Sequence, residues 1–514
     1  MKMKSKKLHA PNFQSLEICA PSVSNHWEST TRFALAAGAA ALLAGCGSVG
    51  PDYHRPEAMP TNVMPVAFGD AAITNAGEWK TAQPSADIPR GAWWQVFNDA
   101  ELNRLEMLAT TNNQELAVAL ANFEQARAAA NLARADFYPQ INGAPSASRQ
   151  RTSANASPTA AGKSRTFNSY NVSADASWEV DLWGRVRREV ESANAKLAAS
   201  ADDLEAAKLA VQAEVAIDYF ALRALDAKSA LFQETVGAYQ RAVELTQSRH
   251  KNGVATELDV AQAETQLKSA QAAIPAVDLQ RAQLRHALAV LCGKPATTFA
   301  LTPDTVSSTN LPAIPLAVPS EWLERRPDIA AAERRMAAAN ADIGIATAAF
   351  YPRLLLNGSG GFESISASSL FDLPSRLWAI GPSLQVPLFT GGRTRAQIES
   401  AKAAYDGTVA SYRQTVLSAF QEVEDQLAAQ RFLAEQLEEE NAALIFARRT
   451  LEISTNRYKS GVEAYLDVIT AQTTVLTHEQ TVIQLRGQRL SMSVSLIKAL
   501  GAGWNRNLTS TIGK

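Results

Sequence analysis

The sequence lacks most of what marks enzymes and nucleic-acid binders. Its three cysteines, Cys19, Cys46 and Cys292, are spread over 514 residues with no CxxC spacing. That pattern excludes a disulfide framework and a cysteine-based zinc site. The six histidines are scattered, so no metal-ligand cluster is expected. Charged residues make up 19% and the formal net charge is −2, which leaves no electrostatic footprint for nucleic acid. No GxSxG elbow, HExxH pair or phosphate-binding loop is present, so acyl-transfer, zinc-hydrolase and P-loop chemistry have no carrier. No apolar run reaches 18 residues, too short for a membrane-crossing helix. The composition predicts a protein with no catalytic constellation and no cofactor.

The chain opens with an address. Lys2, Lys4, Lys6 and Lys7 precede the stretch FALAAGAAALLAGC, the basic and apolar regions of a signal peptide. Leu43-Ala44-Gly45-Cys46 resembles the lipobox of bacterial lipoproteins, in which the cysteine becomes the lipidated first residue. A plain secretory signal with an incidental cysteine is the alternative. Lipid on Cys46 would hold the protein at a membrane surface. Lipoproteins kept at the inner membrane usually carry Asp after that cysteine; Gly47 here implies the outer membrane. Residues 1–45 are thus read as signal peptide and 46–90, with six prolines from 51 onward, as an extended segment.

After that the chain repeats itself. RHKNGVATELDV begins at Arg249 and RYKSGVEAYLDV at Arg457, 208 residues later, with seven of twelve positions identical. Phe-Tyr-Pro closes at Pro139 and again at Pro352. Val260, Leu267, Ile274, Arg281 and Leu288 step by seven, and Val468, Val475, Val482, Arg489 and Leu496 answer them at the same offset. A second column runs Ile469, Leu476, Ile483, Leu490, Ile497. Sustained sevens predict helices packed lengthwise. Two copies, 91–300 and 301–514, each read helix, strand, strand, very long helix, tight turn, helix. The first long helix, about Arg185 to His250, would span roughly 100 Å. Pro275 within the following helix predicts a kink or break.

The stretch SYNVSADASWEVDLWG at 169–184 alternates strictly. Tyr170, Val172, Ala174, Ala176, Trp178, Val180 and Leu182 are apolar and the residues between them polar, which predicts a strand with one apolar face. Three further segments share the pattern: Ile141 onward, Leu354 to Phe362, and Trp378 to Leu388. Their length suits a tilted strand crossing a bilayer. Phe137, Tyr138, Trp183, Tyr351 and Phe389 fall at the strand ends, where an aromatic girdle belongs. Four strands cannot close a barrel, and open edges in hydrocarbon cost several kcal/mol per unpaired group. Further copies of the chain must therefore supply strands. A water-soluble sheet packed on helices is the alternative.

Gly50-Pro51-Asp52-Tyr53, Trp94-Gln95-Val96-Phe97, Glu324-Arg325-Arg326-Pro327-Asp328-Ile329, the two Phe-Tyr-Pro junctions and the two Gly-Val…Leu-Asp-Val turns occur in an order that resembles the outer-membrane factor family. These are the TolC-like exit ducts of efflux pumps and type I secretion systems, and the lipobox points to the lipoprotein branch serving RND pumps. The resemblance implies a mainly helical fold with membrane β-structure: a homotrimer whose twelve-stranded barrel continues into a twelve-helix periplasmic tube. It implies a passive duct for drugs or other small molecules, with a periplasmic adaptor and an inner-membrane RND pump as partners. A secretion duct and a non-conducting, lipid-anchored envelope protein are the rival readings.

The turns Asn252-Gly253-Val254 and Ser460-Gly461-Val462 would be the adaptor-docking tips, or simple helix reversals. Asp467 and Asp259 lie just beyond them. Either they favour a helix start, or a ring of Asp467 lines the pore's closed mouth, where carboxylates favour cations. The family's second mouth aspartate is replaced by Thr470, and Glu463 stands where an arginine is common. Tyr458 matches a gating tyrosine and also continues the heptad of Leu437, Leu444 and Leu451, a core position.

Overall fold

Two helices of 67 residues dominate the chain, one in each copy. The computed structural model describes residues 48–57, 91–153, 164–302 and 326–502. In chain order the elements are a 3-10 turn (Trp93–Phe97), α1 (Ala100–Asn112), α2 (Gln114–Ala135), β1 (Gln140–Arg151), β2 (Thr166–Val180), α3 (Arg185–Lys251) and α4 (Glu257–Leu291). The second copy follows as α5 (Pro327–Ala348), β3 (Arg353–Ser364), β4 (Arg376–Gln385), α6 (Arg393–Lys459) and α7 (Tyr465–Ala499). At 1.5 Å per residue, α3 and α6 are each about 100 Å long. Each begins after a glycine in the left-handed region, Gly184 at φ 79° and Gly392 at φ 85°. These glycines make the sharp change from extended to helical backbone possible.

The strands form one antiparallel sheet in the order β1-β2-β3-β4. Its register joins the four alternating patterns into a single face. Ile141 lies opposite Ala176, Ala176 opposite Gly358, and Gly358 opposite Ile380. The next row is Gly143, Ala174, Gly360 and Trp378. The opposite face carries rows such as Asn142, Asp175 and Ser359. Because side chains alternate, a slip of one residue would mix the faces. The apolar face is bare: Trp378 is 71% and Ile380 81% exposed. Among the described residues the outer edges of β1 and β4 have no strand beside them, and both strands contain a proline, Pro145 and Pro382. Leu182, Val386 and Leu388 fall outside the strands. Trp183 stacks on Tyr351 at 4.8 Å and donates from Nε1 to the Pro352 carbonyl, so it packs the sheet's base rather than facing outward.

Below the sheet α3 is the organising element, packing against α2, α4, α5 and α7, while α6 packs against α5 and α7. The main core gathers Trp93, Phe97, Leu102 and Leu105 onto α3 through Tyr219, Phe220 and Leu222. Asp99 caps α1 by accepting from the amides of Glu101 and Leu102, and also accepts from the Tyr219 hydroxyl at 2.6 Å. Glu106 is fully buried in this layer, and neither carboxylate oxygen has a hydrogen-bond partner. Arg326 ties the second copy together by donating to Glu422 of α6 and to the Ala499 carbonyl at the end of α7.

Residues 48–57 lie along α3 and α5. Asp52 pairs with Arg188 at 2.8 Å, Tyr53 donates to Glu333, and the Val49 amide donates to the Trp183 carbonyl. Gly50, at φ 97°, lies so close to α5 that a Cβ would come within 2.5 Å of the Gly344 Cα.

The predicted break at Pro275 does not occur: α4 runs unbroken through it. Pro275 lies on the exposed side, where water can satisfy the carbonyl that loses its donor. The heptad columns differ between copies. Val468, Val475 and Val482 are buried, whereas Val260, Leu267 and Ile274 are half-exposed. The physical reason is position: α7 lies between α3 and α6, while α4 has α3 as its main neighbour.

Candidate functional site

The ends of α3 and α6 are built alike. Gly253 at φ 71° and Gly461 at φ 75° turn the chain. The Gly253 and Val254 amides donate to the His250 and Arg249 carbonyls, and those of Gly461 and Val462 to Tyr458 and Arg457. These left-handed C-terminal caps satisfy carbonyls that a helix end leaves open. Asn252 and Ser460 are the cap residues. Val254 is 63% and Val462 68% exposed, so each tip presents an apolar side chain to solvent.

Behind the tips the two hairpins lock together. Val243 and Ala263 of the first hairpin pack with Tyr458, Tyr465, Val468 and Ile469 of the second. The rings of Tyr458 and Tyr465 lie 5.1 Å apart, and the Arg249 guanidinium sits over the Tyr458 ring at 4.8 Å. Arg249 also donates to the Lys459 carbonyl. Burial pushes the Tyr465 hydroxyl up to about 12. Sequence reasoning missed Arg249 and Tyr465. Arg249 opens the repeated motif, but its cation–π contact depends on which helix faces it.

Tyr458 occupies this core, and its hydroxyl has no hydrogen-bond partner. Tyr458→Phe is therefore expected to raise stability by about 1 kcal/mol, because it removes a buried hydroxyl that bonds nothing. Tyr458→Ala should cost about 3 kcal/mol through the cavity it leaves. Denaturant melts of both variants check this. Equal losses would mean the hydroxyl, not the ring, matters.

The two aspartates have different surroundings. Asp259 completes a capping box: its carboxylate accepts from the Thr256 amide and hydroxyl at 2.8 Å, and the Thr256 hydroxyl accepts from the Asp259 amide. That is the helix-start role. Asp467 lies in the first turn of α7 with an exposed side chain, and the residue at its N-cap is Ala464, which offers no side-chain cap. Thr470, one turn on, is exposed and bonds back to the Leu466 carbonyl. Glu463 pairs with Arg457 at 3.4 Å within its own hairpin. Cys46 lies outside the described residues. Among the described residues no cluster of three metal-ligating side chains occurs, and no helix is long and apolar enough to cross a membrane.

Comparison with known proteins matches both halves of this architecture. A family model described as "Outer membrane efflux protein" matches residues 107–294 and 318–502. The chain is 36% identical over 469 residues to the outer membrane protein OprJ of Pseudomonas aeruginosa, covering 90% of this chain and 95% of that protein. It is 34% identical over 466 residues to the probable efflux pump outer membrane protein TtgC of Pseudomonas putida, covering 90% and 94%. The solved structure of the Campylobacter jejuni CmeC outer membrane channel superposes with a TM-score of 0.81 at 25% identity, covering 91% of this chain and 98% of that one. Long paired helices and a small antiparallel sheet fit these matches: the chain belongs to the outer membrane efflux protein family, as an exit duct of the outer membrane that needs no cofactor.

Proposed function

We propose that the chain works as a homotrimer, a twelve-stranded barrel continuous with a twelve-helix tube, through which small molecules leave passively. One observation carries this reading: a sheet with one bare apolar face and two unpaired edges, joined directly to helices about 100 Å long. In hydrocarbon an open edge is untenable, so neighbours complete the barrel. The outer helices support the same closure. Along α6, Leu417, Phe432, Phe446 and Ile453 are 45–73% exposed at spacings of 15, 14 and 7 residues, and α4 offers Leu279 and Val290 at 61% and 70%. Such stripes fit helix-to-helix contact between copies.

The energy source and the choice of cargo belong to partners, a periplasmic adaptor at the tips and an inner-membrane RND-type pump. Relatives bear the names of toluene, solvent and antibiotic efflux pumps, which favours small-molecule export over protein secretion. Lipidation of Cys46 fits the geometry. Ser48 packs against Gly184 at the foot of the sheet, and two residues of chain reach at most about 7 Å. The acyl chains would thus emerge beside Trp183 and Tyr351, at the bilayer surface. The division into copies at 91–300 and 301–514 is part of this reading.

Purified protein in planar bilayers should conduct and run as a trimer, and pull-down of the full chain should bring an adaptor. A non-conducting monomer would leave the duct reading without support. Asp467, the uncapped aspartate, is the mouth residue of choice, with Thr470 behind it; Asp259 is engaged by its cap. Three Asp467 carboxylates ringed on the axis favour cations. Asp467→Ala should raise single-channel conductance and weaken cation preference several-fold. Unchanged reversal potentials and conductance would move Asp467 away from the mouth.

A further inference from the structure

A groove of about 440 Å³ lies across α3, α4 and α7. Its lining combines the apolar Leu225, Leu284, Ile483 and Met492 with Lys228 and the exposed Gln280 and Gln484. It exists because two helices come very close. A Cβ on Gly487 would lie 2.6 Å from the Ala224 Cβ, so only glycine lets α7 settle here against α3. The duplication does not repeat the arrangement: 208 residues away, Leu279 stands in place of Gly487 and Gln436 in place of Lys228.

The groove's side of the wall follows from the helix period. The 3-10 turn and α1 cover the face of α3 that carries Gln212, Tyr219 and Leu222. Ala221, Ala224, Leu225 and Lys228 lie about half a turn away. A tube can carry an added layer only on its outside, so in the proposed trimer this opposite face lines the bore. Lys228 has no ion-pair or hydrogen-bond partner among the described residues. The carboxylates on this face of α3, Glu214 and Asp218, are ten or more residues up the helix, about 15 Å away. That exceeds the screening length of about 8 Å at physiological salt.

We propose that the groove is a binding subsite on the bore wall for amphipathic organic anions. The apolar body lies on Leu225, Leu284, Ile483 and Met492, and a carboxylate or sulfonate meets Lys228, with Gln280 and Gln484 donating to its oxygens. Cargo would then pause on the wall instead of crossing a featureless bore. The inference rests on the proposed tubular assembly.

Single-channel recording on the reconstituted full chain tests it with three probes of similar size: naphthalene-1-sulfonate, neutral 2-naphthol and cationic 1-naphthylmethylammonium. The sulfonate is expected to give reversible blocks that the cation does not. Their residence time should fall about tenfold in Lys228→Gln and vanish in Ser491→Phe, which fills the groove and keeps the charge. Lys268→Gln, an exposed lysine elsewhere on α4, should leave them unchanged. Blocks that persist in both groove variants, or equal blocks by the cation, would overturn the subsite. So would a conducting wild type that is never blocked at millimolar sulfonate. A protein that does not conduct would overturn the tube reading and take the subsite with it.

Discussion

Ile380→Arg is expected to abolish assembly in the outer membrane, while Ala379→Arg, its immediate neighbour, assembles normally. Ile380 is in the third of six apolar rows, near mid-height of the sheet, and is 81% exposed on the bare face. An arginine facing lipid near the bilayer midplane costs about 2–4 kcal/mol. In the proposed trimer three copies add to roughly 6–12 kcal/mol, comparable with the whole stability of a typical fold, about 5–15 kcal/mol. Ala379 points the other way, in the row with Asp175 and Ser359, where a charge meets water. The measurement is the yield of heat-resistant trimer in outer-membrane fractions. Equal yields from the two variants would mean that the sheet is not immersed in lipid as assigned.

The second large effect lies at Glu106. Burial raises its carboxyl pKa from 4.5 to about 9, because the site offers no partner for the charge. The folded protein therefore holds a proton there that the unfolded chain releases. Stability is intact below about pH 4.5, declines as the pH rises, and has lost the full contribution once the pH passes about 9. At pH 7 the penalty is about 3 kcal/mol, taking about 1.4 kcal/mol per unit. Glu106→Leu should recover that amount and flatten the dependence, since Leu102 and Leu105 already make the surroundings apolar. Melts at pH 5 and pH 8.5 decide it. Glu106→Gln, which cannot titrate, should also flatten the profile. A slope retained in both variants would place the titrating group elsewhere.

Much of the fold was legible in the sequence because it rests on periodicity. Strict alternation identified the strands, and the register then showed the four apolar lists to be one surface. The 208-residue offset marked both hairpins, and the glycines of the two turns do take the left-handed backbone. What stayed hidden depends on which faces meet. Asp259 and Asp467 look equivalent in the two motifs, yet Thr256 precedes one and Ala464 the other, and only the first builds a capping box. Pro275 is a helix breaker by rule and is tolerated because its side of α4 packs against nothing else among the described residues of the same chain. Glu106 falls in an ordinary amphipathic helix, and nothing local announces its burial. The groove needed Gly487 and Ala224, which lie 263 residues apart in the chain.

Both prolines of the sheet stand on its border strands, Pro145 in β1 and Pro382 in β4, while β2 and β3 contain none. A proline brings no amide donor, so a foreign strand laid along either border cannot zip through without interruption. Before insertion a solitary subunit must carry those borders through water, where like strands from other subunits would stack into insoluble fibres. The missing donors make such stacking discontinuous, and they leave the same gaps where the borders of neighbouring copies meet in the proposed trimer, so resistance to aggregation comes with a weaker seam.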